Sequence, residues 1–119
     1  SARRRLRQAL PEKVNWRSTG KVTPVRNQGQ CASCWALAAA TALESAYLLS
    51  VDGATANNLR LSEQQMIDCI NRRYGPYNSA GCLGGWPHEA FNYASSTNVS
   101  TNQGYPYRGE TGDACMALG

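Results

Sequence analysis

Two cysteines stand three positions apart in the stretch GQCASCWALAAATALE, residues 29–44, directly ahead of an alanine-rich run. Such a pair suits three chemistries: a redox couple, half of a metal site, or one structural cysteine beside one reactive thiol. A helix N-terminus lowers the pKa of a thiol, and the thiolate is the working nucleophile. The spacing of Cys31 and Cys34 alone leaves the three chemistries open.

Three further cysteines, Cys69, Cys82 and Cys115, bring the total to five. An odd number at wide spacing predicts two disulfides and one free thiol, and hence an oxidising compartment. The alternative is five reduced cysteines in a cytosolic protein. A redox module is disfavoured because the βαβ setting is missing. A zinc site, which could include His88 as a ligand, is disfavoured because a second CxxC is absent. We therefore expect no metal and no cofactor.

The length and composition are those of one ordinary globular domain. The chain has 119 residues, of which 42% are hydrophobic and 17% charged. No apolar run reaches the length that a transmembrane helix requires, and no secretory signal peptide is visible. The N-terminus SARRRLRQALPE resembles a chain that has already been processed or cut.

The net charge of +4 comes from a basic arm, residues 1–10. Arg3, Arg4, Arg5 and Arg7 all lie there, and the rest of the chain has eight Lys/Arg against eight Asp/Glu. We interpret the arm as a solvated tail or a processing junction; the alternative is a contact with an anionic partner. No basic face interleaved with aromatic residues is present, so nucleic acid is not an expected partner.

A long helix is predicted directly after the cysteine pair, from about Ser33 to Leu49. Alanine and leucine are good helix formers, and Asp52-Gly53 stops the run. Apolar residues cover nearly all of its faces, and a helix that is apolar all round lies inside a protein. Something large must therefore cover it. Its acidic residue, Glu44, is expected to be a hydrogen-bonded structural group.

Two shorter helices are predicted further along the chain. One begins after Ser62, because SEQQ fits a capping box that pairs Ser62 with Gln65. The other begins at Pro87 and ends where Asn98 takes the left-handed conformation. Asn98 also opens NVS, a glycosylation sequon, so its role stays open between helix stop and glycan acceptor. Four aromatic residues are expected to be packing residues: Trp16, Trp35, Tyr105 and Tyr107.

Four blocks of the sequence resemble papain-like cysteine proteases, the cathepsin L type included. The first is LPEKVNWRSTGKVTPVRNQGQCASCWALAAATALE, in which CASCW is similar to the family signature C-G-[SA]-C-[WY]. The others agree in order and spacing: LSEQQMIDC at 61–69, GCLGGWP at 81–87, and YPY at 105–107 followed by Cys115. Together they cover residues 10–115 and are far more specific than a lone CxxC.

The resemblance implies a role for each matching position. Cys34 matches the nucleophile, and Gln28 matches the side chain that shares the oxyanion hole with the Cys34 N–H. The disulfides implied are Cys31–Cys82 and Cys69–Cys115, which leaves Cys34 as the free thiol.

The resemblance also implies a substrate-binding turn. Gly84 and Gly85 match the backbone that pairs with an extended peptide, where another backbone must approach closely. Trp86 and Pro87 match the wall of the pocket for the second substrate residue before the cut. His88, the only histidine, follows this motif but does not match the family's base, and we expect it at the surface or at the edge of the cleft.

The fold implied is α+β, and this chain, over residues 11–119, matches the mainly α-helical left domain with its two disulfides. The family's catalytic His and orienting Asn lie about 130–150 residues beyond the cysteine, whereas 85 residues follow Cys34 here. We therefore expect the second, β-rich domain to be absent. The chain also departs from the family pattern in two smaller ways. Ala32 replaces the signature glycine, and Leu37-Ala38 replaces the more usual Phe-Ser.

We therefore expect a fragment or light chain of a papain-like cysteine endopeptidase. It would hydrolyse peptide bonds through Cys34 once a second domain or chain supplies the His and Asn and covers the apolar face. Whether this chain alone is an active enzyme stays open. The alternative is a catalytically inactive papain-like subunit with a structural or protein-binding role. Peptide or protein substrates are expected, in the lysosome, the vacuole or outside the cell, without membrane insertion.

Overall fold

Three α-helices form the frame of the computed structural model, which describes residues 10–56 and 59–117. They are α1 (Cys34–Ser50), α2 (Glu63–Cys69) and α3 (Pro87–Ser96), with short 3-10 helices at Trp16–Thr19 and Gly81–Leu83. Over the described residues the only strand-like pairing is an isolated antiparallel bridge between Leu61 and Thr101. The predicted mainly helical fold with two disulfides is confirmed. The predicted basic arm lies, Leu10 aside, outside the described residues.

One side of α1 faces the core. Its buried residues are apolar except for one acid: Trp35, Ala36, Leu37, Ala39, Ala40, Glu44 and Leu48. Both α2 and α3 pack against α1. The expectation that α1 is buried all round is wrong for the described part of the chain, because Ala38, Ala42 and Tyr47 are exposed. The apolar composition of α1 therefore leaves an open face that reaches Cys34.

All seven residues of α2 are buried, although four of them are polar or charged. Ser62 caps the helix, since its Oγ accepts the Gln65 backbone N–H at 3.0 Å. The reciprocal half of the predicted capping box is not formed. The Gln65 side chain instead bonds Tyr93 Oη at 2.8 Å, the Asn98 carbonyl at 2.9 Å and the Ser100 N–H at 2.7 Å. Burial explains the difference, because a buried amide must satisfy its whole hydrogen-bonding capacity within the core.

Asp68 ties the C-terminal loop to α2. Its carboxylate accepts hydrogen bonds from the Gln64 amide at 2.9 Å, Tyr105 Oη at 2.6 Å and the Gly112 N–H at 2.9 Å. Burial, together with the hydrogen bond to Asp68, raises the pKa of Tyr105 to about 12. The phenol therefore stays protonated and keeps donating to Asp68 at neutral pH. Tyr105 is buried, as predicted for a packing residue.

A cluster of buried charges joins α1 to α2. Arg26, whose side chain is 9% exposed, lies 2.5 Å from Glu44 of α1 and 2.7 Å from Glu63 of α2, and both carboxylates are fully buried. Thr23 Oγ1 also donates to Glu44, at 2.6 Å. Arg60, which is 38% exposed, pairs with Glu63 at 2.9 Å. The predicted structural role of Glu44 is confirmed.

Two predictions about single residues are wrong. α3 begins at Pro87 as expected, but it ends at Ser96 and its cap, Thr97, is extended with φ −137° and ψ 136°. The helix therefore ends before Asn98, at an extended threonine, and not at Asn98 as predicted. Trp16 is 55% exposed rather than in the core, since the 3-10 helix that it opens buries none of its residues. Trp35 is buried, as predicted.

Candidate active site

The five cysteines form two disulfides and leave one thiol. Cys31 is bonded to Cys82, and Cys69 is bonded to Cys115. Cys34 is free and exposed. Because Cys31 pairs with a distant residue, it does not form a redox couple with Cys34, and the bonded sulfurs are not available to a zinc ion. Of the three arrangements open to the CxxC pair, a structural cysteine beside an unbonded, exposed thiol remains.

Cys34 is the first residue of α1, where the helix dipole favours negative charge. The turn before it is fixed by the Cys31–Cys82 disulfide and by a hydrogen bond of 3.0 Å from the Ala32 N–H to the Cys82 carbonyl. The Ser33 side chain does not cap the helix. Within the described structure the Cys34 N–H has no acceptor, so it can donate to negative charge that develops beside the thiol.

Gln28 lines the same groove as Cys34. Its Nε2 donates one hydrogen to the Cys31 carbonyl at 2.8 Å, which fixes the side chain and leaves the second amide hydrogen available. The backbone carbonyl of Gln28 accepts a hydrogen bond from Tyr107 Oη, and the same hydroxyl lies 2.8 Å from Ser33 Oγ. Tyr107 therefore joins the Gln28 loop to the residue that precedes Cys34.

The open face of α1 forms one wall of a groove of about 560 Å³. Segment 22–26 lines the groove together with Gln28, and Cys34, Leu37, Ala38, Thr41 and Ala42 line it from α1. Val25 is 89% exposed. The lining of the groove is more apolar than polar.

The turn formed by residues 84–87 packs on Trp35, the neighbour of Cys34. A Cβ on Gly85 would lie 2.6 Å from the Trp35 ring and 2.8 Å from the Ser79 Cβ, so only glycine fits there. Neither the N–H nor the carbonyl of Gly85 has a partner among the described residues, so both can pair with an extended chain. Gly84 has a φ of 126°, which favours glycine, and open space where its Cβ would be.

Two aromatic rings lie beside this glycine turn. Trp86 is 56% exposed, and Pro87 begins α3. The His88 ring lies 6.1 Å from the Trp86 ring, centroid to centroid. His88 is exposed, as expected, and its imidazole makes no hydrogen bond or salt bridge with any described residue. The groove beside Cys34 is not lined by these residues; the turn is connected to Cys34 through Trp35.

Glu89 fixes the backbone of the same turn. Its buried carboxylate accepts hydrogen bonds from the Asn78 N–H at 2.8 Å, the Ser79 N–H at 2.8 Å and Ser79 Oγ at 2.6 Å. Ser79 Oγ accepts the Trp86 N–H at 3.1 Å, so the carboxylate positions Trp86 through one hydroxyl. Burial acts to raise the pKa of Glu89, but these hydrogen bonds outweigh burial and lower the pKa below its ordinary 4.5.

A family model described as Papain family cysteine protease matches residues 10–118 of this sequence. The chain belongs to the papain family of cysteine proteases. The match extends over nearly all of the described residues and includes both cysteine pairs and the glycine turn.

The relatives of this papain-family chain are longer than the chain itself. Digestive cysteine proteinase 2 of Homarus americanus is 44% identical over 100 residues, which are 83% of this chain and 28% of the relative. Thiol protease aleurain of Arabidopsis thaliana is 44% identical over 103 residues, which are 86% of this chain and 26% of the relative. The crystal structure of a Carica candamarcensis cysteine protease in complex with E-64 matches with a TM-score of 0.76 at 40% identity, covering 91% of this chain and 46% of that structure. The chain thus spans about a quarter of the length of these curated relatives.

Sequence reasoning missed two hydrogen-bonding groups of this papain-family site. Tyr107 was expected to pack, yet its hydroxyl bonds both Ser33 and Gln28, which lie 74 and 79 positions earlier in the sequence. Glu89 drew no interpretation, although its carboxylate fixes Ser79 and Trp86. The sequence pointed to these two residues only through their position: Tyr107 lies in the YPY block, and Glu89 lies two residues after the GCLGGWP block. The hydrogen bonds themselves could not be predicted, because their partners are distant in sequence or lie across a turn.

Replacing Gly85 by Ala is expected to lower the free energy of unfolding by about 1–3 kcal/mol, because the added methyl group overlaps the Trp35 ring and Ser79. Urea unfolding measures the change. Gly104→Ala is the matched control: the nearest atoms to its Cβ are at 3.8 Å, and we expect a change within about 0.5 kcal/mol. Equal stabilities of the two variants would contradict the close packing of the turn on Trp35.

Replacing Glu89 by Gln is expected to lower the free energy of unfolding at neutral pH by about 1–3 kcal/mol, since one amide oxygen replaces two carboxylate oxygens as acceptor. The pKa of Glu89 is lower in the folded chain than its ordinary 4.5. Its contribution is therefore fully present above that value and is lost as the pH falls through the folded pKa.

The wild type and Glu89→Gln should accordingly converge in stability as the solution is acidified, measured by urea unfolding at a series of pH values. The control is Glu110→Gln, which changes an exposed acid and should leave stability nearly unchanged at every pH. Parallel curves for the wild type and Glu89→Gln would show that the carboxylate does not hold this turn.

Proposed function

We propose that this chain is the nucleophile-bearing part of a papain-family cysteine endopeptidase. The observation that carries the proposal is the one unbonded cysteine, Cys34, exposed as the first residue of α1 with Gln28 in the same groove. In this proposal Cys34 and Gln28 are the catalytic residues of the chain. Peptides are the substrates implied by the family.

The reaction is acyl transfer through a thioester. The Cys34 thiolate attacks the carbonyl carbon of the scissile peptide, and the carbonyl oxygen becomes an oxyanion. The Cys34 N–H and the free amide hydrogen of Gln28 donate to that oxyanion. The C–N bond then breaks, the amine leaves with a proton from an imidazolium, and the acyl group stays on sulfur. Water hydrolyses the thioester and regenerates the thiol.

Substrate binding is assigned in this proposal to the glycine turn. The free N–H and carbonyl of Gly85 pair with the substrate backbone, and Gly84 leaves the approach open because it carries no side chain. Trp86 and Pro87 supply the apolar wall that receives the second residue before the cut. The exposed area of Trp86 is available for that contact.

The proton-transfer groups belong to a second domain or chain. We propose that residues 11–119 form the left, helical domain and that a β-rich domain carrying the His and Asn covers the groove beside α1. The apolar lining of that groove and the exposure of Val25 support this placement. The His must come within hydrogen-bond reach of Cys34 for the thiolate–imidazolium pair to form.

The two disulfides indicate a protein of the secretory pathway. Within that pathway we propose the lysosome, the vacuole or secretion as the destination. Over the part of the chain that the structure describes, no helix has the length and apolar character needed to cross a bilayer.

Hydrolysis of a fluorogenic peptide by the natively isolated protein, together with the polypeptide that carries the His and Asn, tests this function. Cys34→Ser is expected to abolish hydrolysis. Gln28→Ala is expected to lower kcat by about 10²–10³ with little change in KM, because its donor acts on charge that exists only in the transition state.

Gln103→Ala is the matched control for the Gln28 variant, since Gln103 is an exposed glutamine in the loop after α3. It should retain the wild-type kcat and KM. Wild-type rates in Cys34→Ser would overturn the assignment of the nucleophile. A natively isolated protein that contains the His and Asn and still hydrolyses no peptide would favour the structural subunit over the protease.

A further inference from the structure

We propose that Asn98 is an N-glycosylation site. Asn98-Val99-Ser100 is the only Asn-X-Ser/Thr triplet in the 119 residues, and the middle residue is not proline. The triplet lies just after α3, outside every helix of the described chain. An acceptor asparagine of this kind takes an oligosaccharide from a lipid-linked donor in the secretory pathway.

The described fold makes no use of the Asn98 side chain. α3 ends at Ser96 with an extended Thr97 as its cap, so the triplet begins one residue beyond the cap. The contact of Asn98 with the core is made by its backbone carbonyl, which accepts the Gln65 amide at 2.9 Å and which any residue provides. Its side chain is exposed and makes no hydrogen bond with any described residue.

Hydrogen bonds to the backbone of the triplet hold it so that the Asn98 and Ser100 side chains face solvent. Gln65 bonds the backbone at Asn98 and at Ser100, and the Ser62 N–H donates to the Ser100 carbonyl at 2.8 Å. Val99 is partly buried against the core, whereas Asn98 and Ser100 are both exposed. A glycan on the Asn98 side chain would therefore extend into solvent without displacing a buried group.

The disulfides place the chain in the compartment where the transfer takes place. Cys31–Cys82 and Cys69–Cys115 require an oxidising lumen, and oligosaccharide transfer uses the same lumen. In the transfer, Asn98 Nδ2 loses one proton and forms a bond to C1 of the first N-acetylglucosamine. The bond from C1 to the diphosphate of the lipid carrier breaks, and the lipid diphosphate leaves.

Asn98 and the glycine turn adjoin opposite ends of α3. α3 has ten residues, and a helix of that length spans about 15 Å. Pro87 at its start adjoins the glycine turn, whereas Asn98 follows its far end. A glycan at Asn98 is therefore attached at the end of α3 opposite to the glycine turn. The inference does not depend on the proposed function, since it requires only the secretory pathway.

The test is peptide mass mapping of the full chain secreted from a eukaryotic host, with and without a glycoamidase, which hydrolyses the amide bond between glycan and asparagine and leaves aspartate. We expect a glycan on Asn98 alone. Trypsin cuts after Arg73 and Arg108, so Asn98 lies in one tryptic peptide between them. That peptide also contains three internal controls: Asn78, Asn92 and Asn102.

Three variants separate the sequon from general effects on folding. Asn98→Gln and Ser100→Ala should each abolish the glycan, whereas Ser100→Thr keeps the sequon and should keep the glycan. A single reactive thiol in each secreted variant, from Cys34, shows that both disulfides have formed. An unmodified Asn98 in wild type and Ser100→Thr, from a host that glycosylates a reference glycoprotein, would overturn the proposal; so would a glycan that persists in Ser100→Ala.

Discussion

Replacing Arg26 by Met is expected to lower the free energy of unfolding by about 3–5 kcal/mol, because removing one partner of a buried ion pair leaves an uncompensated buried charge. Arg26 lies 2.5 Å from Glu44 and 2.7 Å from Glu63, and both carboxylates are fully buried. Methionine keeps much of the apolar stem but removes the guanidinium. Chemical denaturation followed by far-UV circular dichroism measures the loss.

Arg60→Met is the matched control for this variant. Arg60 pairs with the same Glu63 at 2.9 Å, but its side chain is 38% exposed, so solvent screens the charge that it leaves behind. We expect a loss of about 1 kcal/mol or less. If the two variants lost equal stability, the buried bridge between α1 and α2 would not be the main contribution of Arg26.

Removing the second disulfide with the double variant Cys69→Ala/Cys115→Ala is expected to lower the free energy of unfolding by roughly 4 kcal/mol, because the unfolded chain regains the entropy of an uncrosslinked loop. The bond joins the end of α2 to the C-terminal loop across 46 residues. Both cysteines are replaced so that no new thiol remains. The midpoint of urea unfolding, compared with the wild type under non-reducing conditions, gives the loss.

Cys34→Ala controls for cysteine removal as such. Cys34 is exposed and unbonded, so its replacement should change stability by less than about 0.5 kcal/mol. A double variant as stable as Cys34→Ala would mean that the Asp68 hydrogen bonds, and not the disulfide, hold the C-terminal loop on α2.

The positions of the helices could be predicted from local chemistry. Ser62 has a hydroxyl that accepts from the third residue of α2, and Pro87 suits the first turn of α3, so both N-termini were evident in the sequence. The start of α1 was predicted to within one residue. These signals are local, because a cap acts on backbone groups three or four residues away.

The polar interior could not be predicted from local chemistry. Gln65 was assigned to a cap, but its amide lies in the core and serves Tyr93, Asn98 and Ser100. Arg26 stands alone among uncharged residues in the sequence, yet it bridges two carboxylates that are 18 and 37 positions away. Partners so distant in sequence are brought together only by the packing of α1 and α2.

The apolar pattern of α1 predicted more burial than the described chain provides. It predicted burial on every side, and in the described chain one side is open. The composition of a helix reflects everything that it packs against in its working state. Because Ala38 and Ala42 line an exposed groove with Cys34, the pattern supports our proposal that a second domain or chain covers this face.

The candidate site was predicted in parts. The CASCW block pointed to Cys34 and to a disulfide at Cys31, and the structure leaves Cys34 free and bonds Cys31 to Cys82. The close contact of Gly85 with the Trp35 ring, in contrast, depends on how the turn packs against α1. A glycine in a sequence can indicate that another group packs closely against the backbone, but only the fold identifies that group.

Mass spectrometry of the natively purified protein after exposure to a thiol-reactive epoxide tests whether Cys34 is an activated nucleophile. We predict a single adduct on Cys34, together with a polypeptide that carries the His and Asn, either continuous with this chain or co-purifying with it. The adduct should be lost in Cys34→Ser. If the His- and Asn-bearing polypeptide is present and Cys34 stays unmodified, while iodoacetamide alkylates it after denaturation, Cys34 is not an activated nucleophile and the account is contradicted.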